Sequence, residues 1–189
     1  HRPSIDEIVG QPDIVSEFGR ANFGSRNMQH YLFYSPEPGT GKTSVALALA
    51  KELGWQIHIF NASSKKQRGI EFVEEELLPL SRVGNYHQIF LLDEADQLTP
   101  AAQSALKGVI ENAQGFFILT CNDLSKVSPW LQSRCALRQF NPIGVIDICS
   151  RLNEIAHAEN VMTDYDTYMT IARSHPGDLR NAINALQAY

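Results

Sequence analysis

The chain has 189 residues, of which 43% are hydrophobic and 20% are charged, and its formal net charge is −5. This length and composition predict a globular protein that buries a real core, built as one domain or as one domain with a small appendage. The negative charge argues against a protein that coats nucleic acid over its whole surface, but it is compatible with a local basic patch.

Cysteine spacing and apolar runs restrict the compartment. Cys121, Cys135 and Cys149 lie 14 residues apart without a C-x-x-C pair, so neither a zinc site nor a disulfide framework is expected. We expect Cys149 to pack in a core and the six histidines, which lack metal-ligand spacing, to be structural or surface residues. No stretch approaches the ~18 apolar residues of a membrane span, and the first residues lack the apolar core of a signal peptide. A reducing cytosol or nucleus, with no membrane contact, is therefore predicted.

The first half of the chain alternates strand and helix patterns. A helix-compatible opening, PDIVSEFGRANFGS, leads to an apolar strand over 30–34, a glycine-rich loop and the helical pattern KTSVALALAKEL, which closes at Gly54. A second strand, QIHIF, precedes a polar loop and a predicted helix over 69–81.

The second half continues the alternation and then changes. The strand QIFLLDEAD ends in acids, Thr99 and Pro100 begin a helix as N-cap and first position, and the strands GFFILTCN and ALRQFNP follow. Strands that are apolar on both faces and alternate with helices predict an α/β fold with a five-stranded parallel sheet covered on both sides. Because only helix patterns follow residue 141, we predict a nucleotide-binding α/β domain at 1–141 and a small helical lid subdomain at 142–189.

The stretch SPEPGTGKT, residues 35–43, matches the phosphate-binding loop except that Pro36 stands where the first glycine is usual. In such loops backbone N–H groups hold phosphates, the lysine reaches the outer phosphates and the Thr hydroxyl binds Mg²⁺. Proline can enforce the same bend because its φ is restricted. A chance occurrence of GTGKT is the alternative, and its place between a strand and a helix argues against it. The predicted nucleotide-binding residues here are Pro38, Gly39, Thr40, Gly41, Lys42, Thr43 and Ser44.

The acidic end of IFLLDEAD supports this interpretation. Asp93, at the carboxyl end of a buried strand, would hold Mg²⁺ together with Thr43, and Glu94 would orient and deprotonate the attacking water. A solvated acidic strand end is the alternative, and Asp96 is expected to be structural or electrostatic. An RNA helicase, which the letters DEAD suggest, needs two nucleotide-fold domains, and this length does not accommodate the second.

Six segments, in order, resemble the AAA+ domains of replication factor C-type clamp loader subunits: HRPSIDEIVGQ, SPEPGTGKT, LLDEAD, ILTCNDLSKVSPWLQSRC, FNPI and GDLRNAINALQ. The resemblance covers essentially the whole chain, and its serine-arginine-cysteine element is the most specific part. Proline at position 36 is similar to the loop of T-even bacteriophage clamp loader ATPase subunits, which implies a phage or phage-like source.

The resemblance implies further site residues. Asn122 would be the sensor near the γ-phosphate, with a strand-end cap as the alternative, and Arg180 would be the second sensor, reaching from the lid. Arg134 would be an arginine finger that acts in trans on the ATP of the adjacent subunit. The residues that would flank the adenine are Arg2, Pro3, Ile8 and Val9.

DNA contact is also implied by the resemblance. Lys65, Lys66 and Arg68 lie in a segment that faces DNA in the family, and Lys107 matches a basic position on the next long helix. The acidic run at 74–76 departs from the family, which often has basic residues there. A solvated loop is therefore the alternative.

The implied activity is ATP hydrolysis with Mg²⁺, used to open a sliding clamp and load it at primer–template junctions during DNA replication. Implied partners are the clamp, primer–template DNA and other subunits in a ring, which we expect to be a pentamer. Another AAA+ DNA-processing ATPase, such as a branch-migration motor or helicase loader, and a non-hydrolysing nucleotide-gated scaffold are the alternatives; Glu94 and Arg134 argue against the scaffold. The family carries a further helical collar, which lies beyond the segments matched here, and whether this chain is a fragment that lacks the collar is left open. The location would be cytoplasmic, in host cytoplasm or nucleoid for a phage protein, or nuclear in a eukaryote.

Overall fold

The structure, a computed structural model, describes residues 4–159, 165–175, 177 and 179–188. The strands are β1 (Tyr31–Tyr34), β2 (Gln56–Asn61), β3 (Gln88–Asp93), β4 (Phe116–Cys121) and β5 (Ala136–Gln139). The helices are α1 (Pro12–Phe18), α2 (Lys42–Leu53), α3 (Ile70–Phe72), α4 (Leu78–Ser81), α5 (Pro100–Glu111), α6 (Pro129–Arg134), α7 (Val145–Ala158), α8 (Tyr165–Ser174) and α9 (Leu179–Gln187). Short 3₁₀ turns occur at Ile5–Glu7, Ser25–Asn27, Ala95–Gln97 and Leu124–Lys126.

The five strands form one parallel sheet in the order β2-β3-β4-β1-β5, which confirms the predicted α/β fold class. Side chains alternate between its faces. Leu32, Phe90 and Leu119 pack on one face with α5 and the α3–α4 region, whereas Phe33, Leu91 and Ile118 pack on the other with α1 and α2. This two-sided burial explains why the central strands are almost uniformly apolar in sequence.

The helix predicted over 69–81 is interrupted. A π-helical turn, Val73–Leu77, joins α3 to α4. Pro79 follows this turn within α4, and a proline has no N–H for an intrahelical bond and its ring collides with the carbonyl four residues earlier. The wider turn accommodates that conflict, so the segment stays helical but not regularly α-helical.

Helices α7, α8 and α9 build a separate apolar cluster that includes Ile148, Leu152, Ala172 and Leu186. Cys149 is 2% exposed within it, which confirms the prediction that it packs in a core. Val9 packs against this cluster from the N-terminal segment. In the described ranges no helix is both long and apolar enough to cross a membrane.

Candidate nucleotide-binding site

The phosphate loop, residues 35–43, follows β1 and runs into the first turn of α2. Gly39 and Gly41 have φ values of 69° and 101°, a backbone region that glycine adopts without strain. Gly41 is the N-cap of α2 and supplies no side-chain cap, whereas Thr99 and Ser128 cap α5 and α6 with their hydroxyls. The first N–H groups of a helix lack intrahelical partners, so the start of α2 offers donors and a positive dipole end to an anion.

The departure from the usual loop pattern lies on the exposed side of the bend. Pro36 is exposed. Ser35 is buried beside it; its N–H donates to Cys121 O at 3.2 Å, and its Oγ accepts from Glu37 N at 3.2 Å. The bend is therefore anchored by Ser35, and Pro36 makes its turn without entering the site.

Lys42 lies inside the site and contacts two parts of the chain. Its Nζ donates to Asn122 Oδ1 at 2.8 Å and to Glu37 O at 3.2 Å. Burial lowers the pKa of Lys42 from its ordinary value, and the positive charge of Arg180 acts in the same direction. An ammonium that has lost much of its water is held where phosphate oxygens could take over its solvation.

Thr43 and Asp93 also meet, since Thr43 Oγ1 donates to Asp93 Oδ1 at 2.9 Å. Thr120 Oγ1 donates to the same oxygen at 2.9 Å and accepts from Glu94 N at 3.1 Å. A hydroxyl and a carboxylate are hard oxygen ligands, the type that Mg²⁺ takes together with substrate phosphates. The side chains of Thr43 and Asp93 thus fit the predicted metal.

Glu94 has φ 54° and is the only non-glycine residue with positive φ in the part of the chain that is described. Such a conformation is uncommon outside glycine and is found where surrounding contacts hold it. The turn ends β3 at Asp93, earlier than the predicted strand. Asp96, two residues after Glu94, is buried, and its Oδ2 accepts from Asp123 N at 3.1 Å, in keeping with its predicted structural role.

A cavity of about 300 Å³ connects these groups. The phosphate-loop residues Thr40 and Lys42 line it, Asn122 lines the sheet side, and Arg180 lines the side of α9. The hydroxyl of Thr40 is buried and has no hydrogen-bond partner among the described residues. The predicted residues that line the cavity are Pro38, Gly39, Thr40, Gly41, Lys42, Thr43, Ser44, Asp93, Glu94, Asn122 and Arg180.

The predicted adenine-flanking residues are only partly described. Ile8 lies beside the loop, since a Cβ built on Gly41 would be 3.8 Å from Ile8 Cγ2. Val9 packs against the α7–α9 cluster. Arg2 and Pro3 lie outside the described residues.

Arg134 is not among the residues that line the cavity. It ends α6, its Nη2 lies 3.3 Å from Glu111 Oε1, and its guanidinium lies 5.2 Å from the centre of the Trp130 ring. Lys107 Nζ approaches the same ring at 5.9 Å. Arg134 is thus held on a different surface from Lys42, Asp93 and Glu94, which line the cavity of its own chain.

Lys65, Lys66 and Arg68 are exposed on the loop before α3. Arg68 Nη2 donates to Ser63 O at 3.1 Å, and Arg68 O accepts from Thr99 N at 3.0 Å, which ties this loop to the start of α5. The acidic residues at 74–76 are exposed on the turn that follows α3.

Sequence reasoning missed two polar residues that organise the site. Thr120 is 3% exposed in the apolar strand FFILTC, and a lone hydroxyl in such a strand was the feature that could have identified it. Gln11 is 1% exposed, and its amide bonds to the phosphate loop. It lies in the segment HRPSIDEIVGQ, but its type and position alone do not indicate a partner.

A parallel sheet with this loop, lysine and acidic strand end defines the class of P-loop nucleotide-binding proteins. Residues 31–143 match the family described as "ATPase family associated with various cellular activities (AAA)", and the chain belongs to that family.

Curated relatives bear out the clamp-loader resemblance. The chain is 40% identical over its full length to the replication factor C small subunit of Sulfurisphaera tokodaii, of which the match covers 60%. It is 36% identical to the protein of the same name from Archaeoglobus fulgidus and 34% to that of Methanococcus vannielii, with 99% of this chain and 61% and 62% of those proteins covered. The chain thus spans about three fifths of the length of these relatives.

Solved structures support the fold. The Thermotoga maritima RuvB Holliday junction branch migration motor superposes with a TM-score of 0.76 at 21% identity, over 98% of this chain and 64% of that one. A mutant of the same RuvB gives a TM-score of 0.78 at 21% identity, over 99% and 65%. At this identity the likeness concerns the fold alone.

Proposed function

We propose that this chain binds ATP with Mg²⁺ and hydrolyses it as a subunit of a clamp loader. The observation that carries the ATPase proposal is the double contact across the cavity, Lys42 to Asn122 and Thr43 to Asp93. It joins the phosphate loop to the ends of β3 and β4, where a nucleotide's outer phosphates would lie. The clamp-loader part is supported by the relatives named replication factor C small subunit.

In the proposed reaction the chain's residues act on the γ-phosphate and on water. The N–H groups of 39–43 and the Lys42 ammonium bind the phosphates, and Asn122 orients the attacking water. Glu94 accepts a proton from that water. Thr43 and Asp93 would hold Mg²⁺, which would supply positive charge to offset that of the phosphates. Arg180 reaches the phosphates from α9, and Arg134 acts on the ATP of a neighbouring subunit.

The proposed organisation is an α/β domain at 1–141 and a helical lid at 142–189, which is supported by the separate apolar cluster of α7–α9. In the ring, pentameric by expectation, the lid would change its approach to the cavity with the nucleotide state. A location in cytoplasm or nucleus and a phage-like source stay predictions.

DNA binding is proposed for the exposed loop with Lys65, Lys66 and Arg68, and for Lys107. The loop and the start of α5 are connected by the backbone hydrogen bond from Thr99 N to Arg68 O. A phosphate bound at the loop would therefore act on the position of α5, which follows the strand that carries Asp93. The acidic run at 74–76 lowers the positive potential nearby, and we therefore expect binding to a few phosphates only. An acidic surface as a whole does not favour coating of DNA.

Two substitutions test the ATPase proposal by separating binding from chemistry. Lys42→Ala should abolish binding of a fluorescent ATP analogue, because the outer phosphates lose their cationic partner. Glu94→Gln should keep nucleotide affinity and lose turnover, because the proton acceptor is removed while Asp93 is left for the metal. Glu75→Gln, an exposed glutamate on the turn after α3, is the control and should change neither. Equal loss of affinity and turnover in Glu94→Gln would contradict the role given to Glu94.

A further inference from the structure

Gln11 connects two backbone segments that are far apart in sequence. Its Nε2 donates to Thr40 O at 3.1 Å and to Asn141 O at 2.7 Å, and its Oε1 accepts from Asn141 N at 2.8 Å. The side chain is 1% exposed. Donor and acceptor of the amide are both used on Asn141, so the glutamine pairs with that residue as a neighbouring strand would, while the second amide hydrogen reaches the phosphate loop.

The two segments have different places in the fold. Thr40 lies between the two positive-φ glycines of the phosphate loop. Asn141 lies in residues 140–143, here called the hinge segment, which joins β5 to α7. The hinge segment also touches the helical region, because Ile143 forms an isolated antiparallel bridge with Gly177.

Gly10 allows the close approach on which this arrangement depends. It has φ 74°, and a Cβ at this position would lie 3.3 Å from Ile143 Cγ1. Any other residue type would be strained at this φ, and its Cβ would crowd the Ile143 side chain. The N-terminal segment therefore holds the hinge segment by apolar contact at one residue and by paired hydrogen bonds at the next.

A change in the angle of the helical region acts on these bonds. Arg180 of α9 lines the same cavity as Thr40, and the hinge segment is bridged to the helical region at Gly177. A rotation of the helical region that brings α9 towards bound phosphates would therefore pull on the pairing of Asn141 with Gln11. We propose that Gln11 is a positioning residue that couples the geometry of the phosphate loop to the hinge segment, so that ATP binding and the approach of Arg180 depend on each other. The coupling rests on the nucleotide site proposed above.

The chain contains a matched control. Gln103 is 6% exposed and also makes three bonds to backbone groups, to Leu98 O at 3.3 Å, to Lys126 O at 2.8 Å and from Ser128 N at 2.7 Å. These bonds lie around α5 and α6, away from the hinge segment. Gln11→Leu and Gln103→Leu therefore remove the same number and type of buried hydrogen bonds, and they differ in what those bonds connect.

The test is a double-mutant cycle on ATP affinity with Arg180→Ala as the second substitution. Arg180→Ala should weaken binding in the unsubstituted chain and in Gln103→Leu by the same factor. In Gln11→Leu that factor should fall by about fivefold or more, the lower end of typical coupling between sites. Gln11→Glu above pH 7, which loses both donors but keeps the acceptor, should act in the same direction and serves if the leucine variant does not fold. The same factor in all backgrounds, including a factor of one, overturns the coupling.

A second measurement needs no nucleotide. Gly177→Ala perturbs the hinge segment from the helical side, because Gly177 has φ 75° and lies against Pro142. Amide hydrogen exchange at Glu37 and Val45, whose N–H groups donate to Ser35 Oγ and Gly41 O on the two sides of the loop, should become faster in this variant, and the increase should disappear when Gln11→Leu is added. If the chain binds no ATP, the proposed function fails, and this measurement still decides the coupling: unchanged exchange at Glu37 and Val45 after Gly177→Ala overturns it.

Discussion

The predicted site residues at the carboxyl edge of β1, β3 and β4 contact one another, whereas the exposed basic residues lie on other surfaces. Lys42 meets Asn122 and Thr43 meets Asp93 inside the cavity. Arg134 is about half exposed, in an ion pair with a glutamate that is equally exposed. Folding of one chain thus brings together the groups proposed to hold phosphates and metal, whereas the groups proposed to stabilise transferred charge or to bind DNA lie where only another molecule could complete their sites.

The largest effect that would sharpen this contrast is expected at Arg134. An arginine finger accelerates phosphoryl transfer by roughly 10³ to 10⁵, so Arg134→Ala should lower ATP turnover of an assembled ring by that order. Loss of the ion pair between Arg134 and Glu111 should change the free energy of unfolding little, because exposed ion pairs contribute about 0–1 kcal/mol. Steady-state turnover of rings that mix Arg134→Ala and Glu94→Gln subunits should come only from interfaces with both residues intact.

Arg20→Ala is the control for this experiment, because Arg20 is an exposed arginine whose Nε lies 3.9 Å from Glu52. It should leave turnover unchanged. A monomer that hydrolyses ATP at the full rate of the ring, and is slowed by Arg134→Ala, would contradict this role. Arg134 would then act in the site of its own chain.

Thr120→Val tests the hydrogen bonds that hold Asp93 and Glu94 in the cavity. Valine has a similar shape but leaves the part-buried N–H of Glu94 without its acceptor, at a cost of about 1 kcal/mol, the lower end for an unsatisfied donor, in the free energy of unfolding. Turnover should fall as well, because both Asp93 and Glu94 are deprived of a hydrogen bond, while ATP affinity changes less. Urea denaturation and ATPase assays measure the two effects. Thr170→Val, which removes an exposed hydroxyl bonded to Asp166 O, should do neither; an equal effect of both variants would contradict the role of Thr120.

The basic loop should give a smaller effect, seen through salt. Replacing Lys65, Lys66 and Arg68 by Ala in an assembled complex should reduce the slope of log affinity for DNA against log salt by about 0.9 for each phosphate that the loop no longer neutralises. The weakening should be similar for all DNA sequences, since binding to phosphates carries no sequence information. Lys51→Ala, at the far end of α2, is the control. An unchanged slope would favour a solvated loop.

The smallest effect is expected at Pro36. Its ring is exposed and Ser35 anchors the bend, so Pro36→Gly should change ATP affinity little, within about twofold, although glycine adds some flexibility to the unbound loop. Titration with a fluorescent ATP analogue measures this beside Lys42→Ala. A large loss of affinity for the ATP analogue in Pro36→Gly would mean that the bend of the phosphate loop depends on the proline ring as much as on the hydrogen bonds of Ser35.

Features that depend on neighbouring residues could be predicted from the amino-acid sequence. Apolar strands such as 88–92 follow from the burial pattern. The start of α5 at Thr99 and the end of α2 at Gly54 follow from capping, which acts over a few positions. The loop with Lys42 and the acids after β3 could be predicted for the same reason. The helix over 69–81 was predicted less well, because the effect of Pro79 on the turn before it depends on local backbone adjustment.

Which polar groups meet depends on long-range packing and could not be predicted from local patterns. Lys42 and Asn122 are 80 residues apart, and they meet because parallel strands bring their carboxyl ends to one edge of the sheet. Gln11 and Asn141 are 130 residues apart, and they meet because the N-terminal segment packs against the hinge segment that follows β5. Gln11 looks ordinary in sequence, and Thr120 is marked only as a lone hydroxyl in an apolar strand, since the roles of both come from burial and from the partners that face them. The position of Arg134 beside Trp130 and Glu111 has the same origin: the packing of α5 against α6 sets which surface the guanidinium occupies, and no local pattern records it.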